Sequence, residues 1–416
     1  MRNKVTDALV LGTAVLGTLS LVSNLAFAAD EKSKDKVSSE IVKPLKAAQD
    51  LTNDKKYPEA IAKLQEAEAY AKKTPYDEHV INQLAAVAYI RNGDLADAEK
   101  AFEALVNDGL LDPSEVPLRL KGLAQINYQL KDYDKAIQYG ERAIKEGHED
   151  DEIDVIVGQA YYLKNDYAGS VKFQQELLDK DVKANRTPSE QSMKLWTSAC
   201  VNLKDSACII NALQKTVTYY PKHEYWQQLL YSIAQDKASN QSDKLTLQLY
   251  RLMSELDVMQ QASDYVEMAN LALAQGSPGE AQHVLEQGAQ KGVFTEPRSK
   301  EASQRLLQSA KEATATDQAS LAKSEKDADA APTGDKDVGV GFAYLGYGQY
   351  DKASTLLAKG LSKGRLKSEL EARLLLGIAQ FKAGHKDEAV QTFQAVKGDP
   401  ALERIASLWT IHAKQV

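Results

Sequence analysis

Residues 119–147 read RLKGLAQINYQLKDYDKAIQYGERAIKEG. Small and apolar side chains recur in each half at the three- and four-residue spacing of a helix, so each half has one face to bury. Lys131 and Asp132 form a short polar turn between the halves. The stretch therefore predicts two antiparallel helices joined as a hairpin.

The small residue of the second helix, Ala136, recurs along the chain and marks the register of the hairpin. The equivalent second-helix residues are Ala60, Ala98, Ser170, Cys208, Thr246, Ala281, Ala353 and Ala389. Successive marks are 34 to 38 residues apart, except for one step of 72 between Ala281 and Ala353. The first helices carry matching small residues, which are Ala48, Ala86, Ala124, Gly158, Ala269, Gly341 and Gly377. A small side chain at both marks allows the two helices to approach closely where they cross.

This pattern resembles the tetratricopeptide repeat (TPR), in which Ala124, Tyr128, Tyr133, Ala136 and Ala143 occupy typical positions. The resemblance extends over residues 42–396. It implies an all-α fold, a right-handed α-solenoid of about nine to ten stacked helix-turn-helix units. The double step in the spacing predicts a degenerate unit near Ala319.

The repeat pattern also predicts a domain organisation. Residues 41–297 form a TPR array, and residues 338–416 form a C-terminal TPR pair with a closing helix over 401–416. Between them, residues 298–337 are polar and poor in apolar side chains, which fits either a degenerate repeat or a flexible linker. Residues 224–256 keep helical periodicity but have a long polar turn.

The first 28 residues have the pattern of a signal peptide. Arg2 and Lys4 precede an apolar run over residues 8–22, which is too short to span a bilayer comfortably, and Ala26 and Ala28 supply the small residues of a cleavage site. A retained membrane anchor is the alternative. We expect residues 1–28 to be removed, a polar segment over residues 29–40, a periplasmic location and no stable membrane insertion after cleavage.

Composition favours a helical scaffold and argues against nucleic-acid binding. Only 7% of the 416 residues are aromatic, and the formal net charge is -8 with both signs interspersed. Binding to nucleic acid requires clustered cations that displace counterions. We therefore expect no nucleic-acid partner.

Cys200 and Cys208 are the two cysteines of the chain. Cys200 lies late in a predicted first helix and Cys208 early in the second, so the hairpin brings them together. Export to an oxidising compartment then predicts a structural disulfide, with buried free thiols as the alternative.

Other candidate chemistry has a simpler structural explanation. Residues 338–350 contain several glycines, but a phosphate-binding loop needs a preceding strand, and Gly341 coincides with a first-helix mark. Residues 147–154, GHEDDEID, gather acids around His148 at a repeat boundary, where they favour the N-terminus of the next helix. We expect no catalytic residues, no metal site, no cofactor and no enzymatic activity.

The TPR resemblance implies that first helices present a groove to partner proteins. The candidate groove residues are Gln83, Arg91, Lys121, Gln125, Tyr128, Gln129, Gln159 and Tyr162. The set is rich in amides and mildly cationic, and the hypothesis is a periplasmic scaffold or adaptor for envelope proteins of a transport, secretion or energy-transduction complex. The alternatives are that these residues are merely solvated, or that the solenoid forms the pocket of a ligand-sensing or hydrolytic component.

Overall fold

A computed structural model describes residues 36–148, 150–236 and 242–416 of the chain. Over these ranges the secondary structure consists of twenty α-helices with no β-strand, which confirms the predicted all-α solenoid. The chain divides into two compact units, Met1–Asp166 and Tyr167–Val416. The predicted signal peptide, residues 1–28, lies outside the described residues.

The first unit contains three helical hairpins and one further helix. Its helices are α1 (Ser39–Asn53), α2 (Tyr57–Glu68), α3 (Pro75–Asn92), α4 (Leu95–Asn107), α5 (Val116–Leu130), α6 (Tyr133–Lys145) and α7 (Asp151–Leu163). The hairpins pair α1 with α2, α3 with α4, and α5 with α6. Each first helix after α1 also packs against the second helix that precedes it, so the hairpins stack in sequence order.

Local sequence sets the start and end of α3 and ties it to α1. Thr74 caps the helix in a reciprocal capping box with Asp77, and Gly93 ends the helix at a φ of 89°. The buried Asp77 carboxylate also accepts hydrogen bonds from the backbone N–H and the hydroxyl of Ser38, at 2.8 and 2.6 Å. Burial opposes ionisation, but these hydrogen bonds hold the pKa of Asp77 below its usual range.

The second unit contains five further hairpins. Its helices are α8 (Tyr167–Lys183), α9 (Glu190–Leu203), α10 (Ser206–Tyr219), α11 (His223–Gln235), α12 (Asp243–Glu255), α13 (Ala262–Ala274), α14 (Pro278–Gln290), α15 (Pro297–Asp329), α16 (Asp335–Gly346), α17 (Tyr350–Lys363), α18 (Glu369–Lys382), α19 (Lys386–Gln394) and α20 (Pro400–Ala413). The hairpins are α9–α10, α11–α12, α13–α14, α16–α17 and α18–α19. The repeat expected around Gly158 and Ser170 is divided between the units, since α7 ends one and α8 begins the other.

Helix α15 occupies the stretch for which the sequence allowed a degenerate repeat or a flexible linker. Residues Pro297–Asp329 form one helix of 33 residues that packs against α13, α14 and α16. Residues 298–331 contain no glycine or proline and are rich in alanine, so nothing interrupts the helix to make a hairpin turn. The sequence boundaries at residues 298 and 338 both fall inside the second unit.

The small residues that mark the register lie where the helices of a hairpin meet. Ala124 and Ala136 are fully buried, as are most of the equivalent alanines. A Cβ on Gly341 of α16 would lie 2.9 Å from Leu357 Cγ and 3.3 Å from the carbonyl oxygen of Ala353 on α17. The close approach expected from the small residues is therefore present in this hairpin.

The last helix, α20, does more than close the final hairpin. It packs against α18 and α19 and also against α10 and α12, which lie in the first half of the same unit. Gln415 Nε2 donates a hydrogen bond to the carbonyl oxygen of Val217 at 2.7 Å. The fully buried Trp409 ring lies 5.7 Å from the Phe381 ring and 5.8 Å from the Phe393 ring. Helix α20 therefore shares one hydrophobic core with α10, α11 and α12.

Candidate partner-binding surface

A row of polar side chains joins α5 to α7 in the first unit. Lys121 Nζ lies 2.5 Å from Asp150 Oδ2 and 2.7 Å from Glu152 Oε2. Gln125 Nε2 donates a hydrogen bond to Glu152 Oε1 at 2.7 Å. Because Lys121 and Gln125 are four residues apart on a helix, they share one face of α5 and meet the same carboxylate.

The start of α7 supplies both carboxylates of this row. Asp150 is the N-cap and accepts a hydrogen bond from the Ile153 N–H at 2.8 Å, and it also accepts one from His148 Nε2 at 2.7 Å. Glu152 follows in the first turn, where the N-terminal end of the helix favours negative charge. The acidic stretch is therefore a helix cap, as expected, but it also binds the neighbouring first helix.

Further along the two helices, Tyr128 and Gln159 continue the row. The Tyr128 hydroxyl donates a hydrogen bond to Gln159 Oε1 at 2.7 Å. The Tyr128 and Tyr133 rings pack edge to face, with their centroids 6.0 Å apart. Burial raises the pKa of Tyr128, so its hydroxyl stays protonated and remains a donor at neutral pH. We call the six residues Lys121, Gln125, Tyr128, Asp150, Glu152 and Gln159 the polar row.

The electrostatics of the polar row differ from the mildly cationic surface that the sequence suggested. Burial opposes the charge of Lys121, but its hydrogen bonds to Asp150 and Glu152 raise its pKa overall. Burial likewise opposes ionisation of Asp150, while the hydrogen bond from Lys121 lowers its pKa. The row thus holds one cation and two carboxylates, and its net charge is negative.

The remaining candidate groove residues lie beside the polar row or on α3. Gln129 is on α5 and Tyr162 on α7, while Gln83 and Arg91 are on α3. The side chains of Gln83, Arg91 and Gln129 form no hydrogen bond or ion pair with another described residue.

Counted by residue, four of the eight candidates belong to the polar row, namely Lys121, Gln125, Tyr128 and Gln159. Asp150 and Glu152 were not among the candidates, although they hold the row together. The sequence does contain a signal for Asp150 and Glu152. Acidic residues at the start of one first helix favour pairing with Lys and Gln side chains on the preceding first helix.

A comparison with known families identifies the repeat. A family profile described as tetratricopeptide repeat matches residues 84–152 and 343–402. The chain therefore contains tetratricopeptide repeats. The first matched segment runs from α3 to the start of α7 and includes Lys121, Gln125 and Glu152 of the polar row. Membership of this family supports a role as a scaffold for protein–protein interaction.

Several solved structures of other proteins have similar repeats. The C-terminal part of a TPR repeat-containing protein from Cytophaga hutchinsonii is 15% identical, with a TM-score of 0.34, over 64% of this chain and 95% of that one. The TPR2AB domain of yeast Sti1, in a complex with pHSP90, is 15% identical, with a TM-score of 0.34, over 65% and 98%. A tetratricopeptide repeat protein from Parabacteroides merdae is 14% identical, with a TM-score of 0.31, over 73% and 99%. These TM-scores are too low to carry an argument about function, and no curated protein matches the sequence.

The two cysteines of this TPR protein form a disulfide between α9 and α10. Their Cα atoms are 5.4 Å apart, within the range that a disulfide requires. Cys200 is fully buried, and Cys208 follows the Asp205 cap of α10, whose side chain accepts a hydrogen bond from the Cys208 N–H at 3.0 Å. The bond therefore fixes the turn of one TPR hairpin.

The other candidate chemistry of the TPR protein has a structural role in the described residues. The glycine-rich stretch forms most of α16 and the turn into α17, and no strand precedes it there. Among the described residues, no group of three or more His, Cys, Asp or Glu is arranged to hold a metal ion. None of the described helices is both long enough and apolar enough to cross a membrane.

Proposed function

We propose that this TPR protein is a periplasmic scaffold or adaptor that binds partner proteins of the cell envelope at the polar row and the neighbouring side chains of α3, α5 and α7. The observation that carries the proposal is the placement of Gln83, Arg91 and Gln129. These three side chains carry hydrogen-bonding groups that the described residues leave unused, and they belong to the first helices that present a binding surface in TPR proteins.

The polar row gives this surface a fixed geometry. Lys121, Gln125 and Glu152 hold one another in place, so a partner meets pre-oriented groups and loses less side-chain entropy on binding. The negative net charge of the row favours a polar partner segment that carries hydrogen-bond donors and cations. The export signal in residues 1–28 supports the envelope as the place where that partner is met.

Partner capture tests this binding surface. The full chain carrying Gln83→Ala, Arg91→Ala and Gln129→Ala is compared with the wild type in a crosslinking pulldown from periplasmic extract. The control is Gln138→Ala, an exposed glutamine on the second helix α6 of the same hairpin as Gln129. We expect specific partner proteins with the wild type and the control and at least about a tenfold loss with the triple variant. Equal recovery with all three proteins would place the interaction elsewhere.

Cell fractionation tests the location separately. The full chain should be found in the periplasmic fraction with residues 1–28 removed, as read by mass spectrometry of its N-terminus, while a variant lacking residues 1–28 stays in the cytoplasm. Recovery of the full-length chain in the membrane fraction, with residues 1–28 still attached, would instead favour the retained anchor.

A further inference from the structure

A cavity of about 730 Å³ lies within the second unit. Its walls come from α12, α13, α14, α15 and α18, from the turn between α16 and α17, and from Trp409 of α20. This volume falls in the range of small-molecule sites, which are about 300–1,000 Å³. The cavity depends on the packing of α20 near α12, so it is distinct from the polar row of the first unit.

The charged groups on the cavity wall are paired with one another. Arg251 is 5% exposed and binds Glu280 through both Nε and Nη2 at 2.6 Å. Glu255 pairs with Lys382, and Glu255 Oε1 also lies 3.7 Å from His412 Nε2. The remaining wall carboxylates are paired likewise, Asp257 with Lys291 and Glu286 with Lys311. A phosphate or carboxylate ligand would have to break one of these pairs, which disfavours an anionic ligand.

Beside these ion pairs, the cavity wall carries polar side chains that belong to no ion pair. Gln287 Oε1 accepts a hydrogen bond from Ser254 at 3.3 Å, which leaves its amide NH₂ available. His283 and Gln318 are exposed at the wall and form no hydrogen bond with another described residue. Tyr350 adds a hydroxyl at the same wall. Together these groups offer both hydrogen-bond donors and hydrogen-bond acceptors.

Apolar side chains complete the cavity. Met268, Val284, Ile378 and Trp409 are buried and contribute to its lining. A site with an apolar surface and a few neutral polar groups fits a ligand that has both hydroxyl groups and an apolar C–H face. Sugars have this combination and carry no charge.

We propose that the cavity of the second unit binds an uncharged saccharide. The side chains of His283, Gln287 and Gln318 hydrogen-bond its hydroxyl groups, and the apolar lining contacts its C–H face. The ion pairs of the wall keep their partners, so they shape the site without supplying a free charge.

Isothermal titration calorimetry of the full chain tests this site with four probes: triacetylchitotriose, maltotriose, trialanine and inorganic phosphate. Gln318→Trp places a large side chain at the wall, and its control is Gln308→Trp, at another exposed glutamine of the same helix. We expect one of the two saccharides to bind the wild type and Gln308→Trp, and to bind Gln318→Trp at least about tenfold more weakly. If circular dichroism shows that Gln318→Trp is misfolded, the double variant His283→Ala and Gln287→Ala replaces it, with the same expected loss.

The contrary results are equally specific. Absence of binding by both saccharides, saccharide binding that the folded cavity variant leaves unchanged, or binding of trialanine or phosphate alone would overturn the proposal. None of these results bears on the polar row, because the probes and substitutions concern the second unit only.

Discussion

Lys121 Nζ on α5 lies 2.7 Å from the Glu152 carboxylate on α7, which links two successive first helices. The Lys121 side chain is 14% exposed, so the pair is partly shielded from solvent. Lys121→Met should leave Asp150 and Glu152 without their cation and lower the free energy of unfolding by about 1–2 kcal/mol. Urea unfolding followed by circular dichroism measures this change.

A double-mutant cycle with Glu152→Gln isolates the pair, and we expect a coupling of about 0.5–1.5 kcal/mol. Lys100→Met is the matched control, because Lys100 is 76% exposed and pairs only with Asp97 on the same helix. It should not change the unfolding midpoint measurably. A coupling energy near zero would mean that the contact between Lys121 and Glu152 does not stabilise the fold.

Two glycines of α16 should respond to alanine with opposite signs. A Cβ at Gly341 would meet Leu357 Cγ at 2.9 Å and the backbone N of Leu357 at 3.1 Å, so Gly341→Ala should destabilise the protein by about 1–3 kcal/mol. A Cβ at Gly339 has no neighbour within 4 Å, so Gly339→Ala should stabilise the helix by about 0.5–1 kcal/mol. Thermal unfolding of both variants compares them directly, and a shift in the same direction would contradict the packing described for α16 and α17.

The disulfide should contribute to the stability of the second unit. Its cysteines are eight residues apart, and closing so small a loop is worth about 2.5 kcal/mol in the chain-entropy model. Replacing both cysteines by alanine should lower the free energy of unfolding by that amount, as measured by denaturant unfolding under non-reducing conditions. Reductant should lower the stability of the wild type but leave the double variant unchanged. Equal sensitivity of the two proteins to reductant would show that the disulfide is not the cause.

Glu190 should make the second unit sensitive to acid. Its carboxylate accepts hydrogen bonds from Lys222 at 2.7 Å and from the Tyr225 hydroxyl at 2.5 Å, and these lower the pKa of Glu190 from 4.5 to about 2. A carboxyl whose pKa is lower in the folded state stabilises the fold above about pH 4.5, and this contribution is lost as the pH falls toward 2.

The matched variant for this effect is Glu190→Gln, which has no carboxyl group to protonate. Since Glu190 is partly screened by solvent, we expect it to account for about 1 kcal/mol at most of the stability lost by the wild type between pH 5 and pH 2. Urea unfolding at several pH values in this range measures the difference. Parallel pH profiles for the wild type and Glu190→Gln would exclude Glu190 as the titrating group.

The sequence predicts the hairpins well because their determinants are local. Gly341 and Ala353 mark the point where two helices cross, and they are only twelve residues apart in the sequence. The spacing of such marks therefore reveals each hairpin without knowledge of its neighbours. The single helix α15 differs from both sequence predictions for this stretch, which were a degenerate repeat near Ala319 and a flexible linker. The absence of glycine and proline from residues 298–331 is the local signal that favours one helix.

The candidate sites depend on contacts that local patterns do not contain. Glu152 meets Gln125 across 27 residues, and the spacing of side chains on α5 does not show which group of α7 lies opposite. The cavity requires Trp409 and Arg251 to line the same space, which repeat spacing does not specify. Helical periodicity therefore predicts the faces of helices, while the pairing of polar groups between faces needs the three-dimensional structure.

The contact between Gln415 and Val217 joins residues separated by 198 positions. A ribosome releases α10 and α12 long before it has made α20, so the apolar face that α20 covers is exposed on the growing chain. Translation therefore creates an interval in which the second unit can form its hairpins but not complete its core, and aggregation competes with folding during that interval.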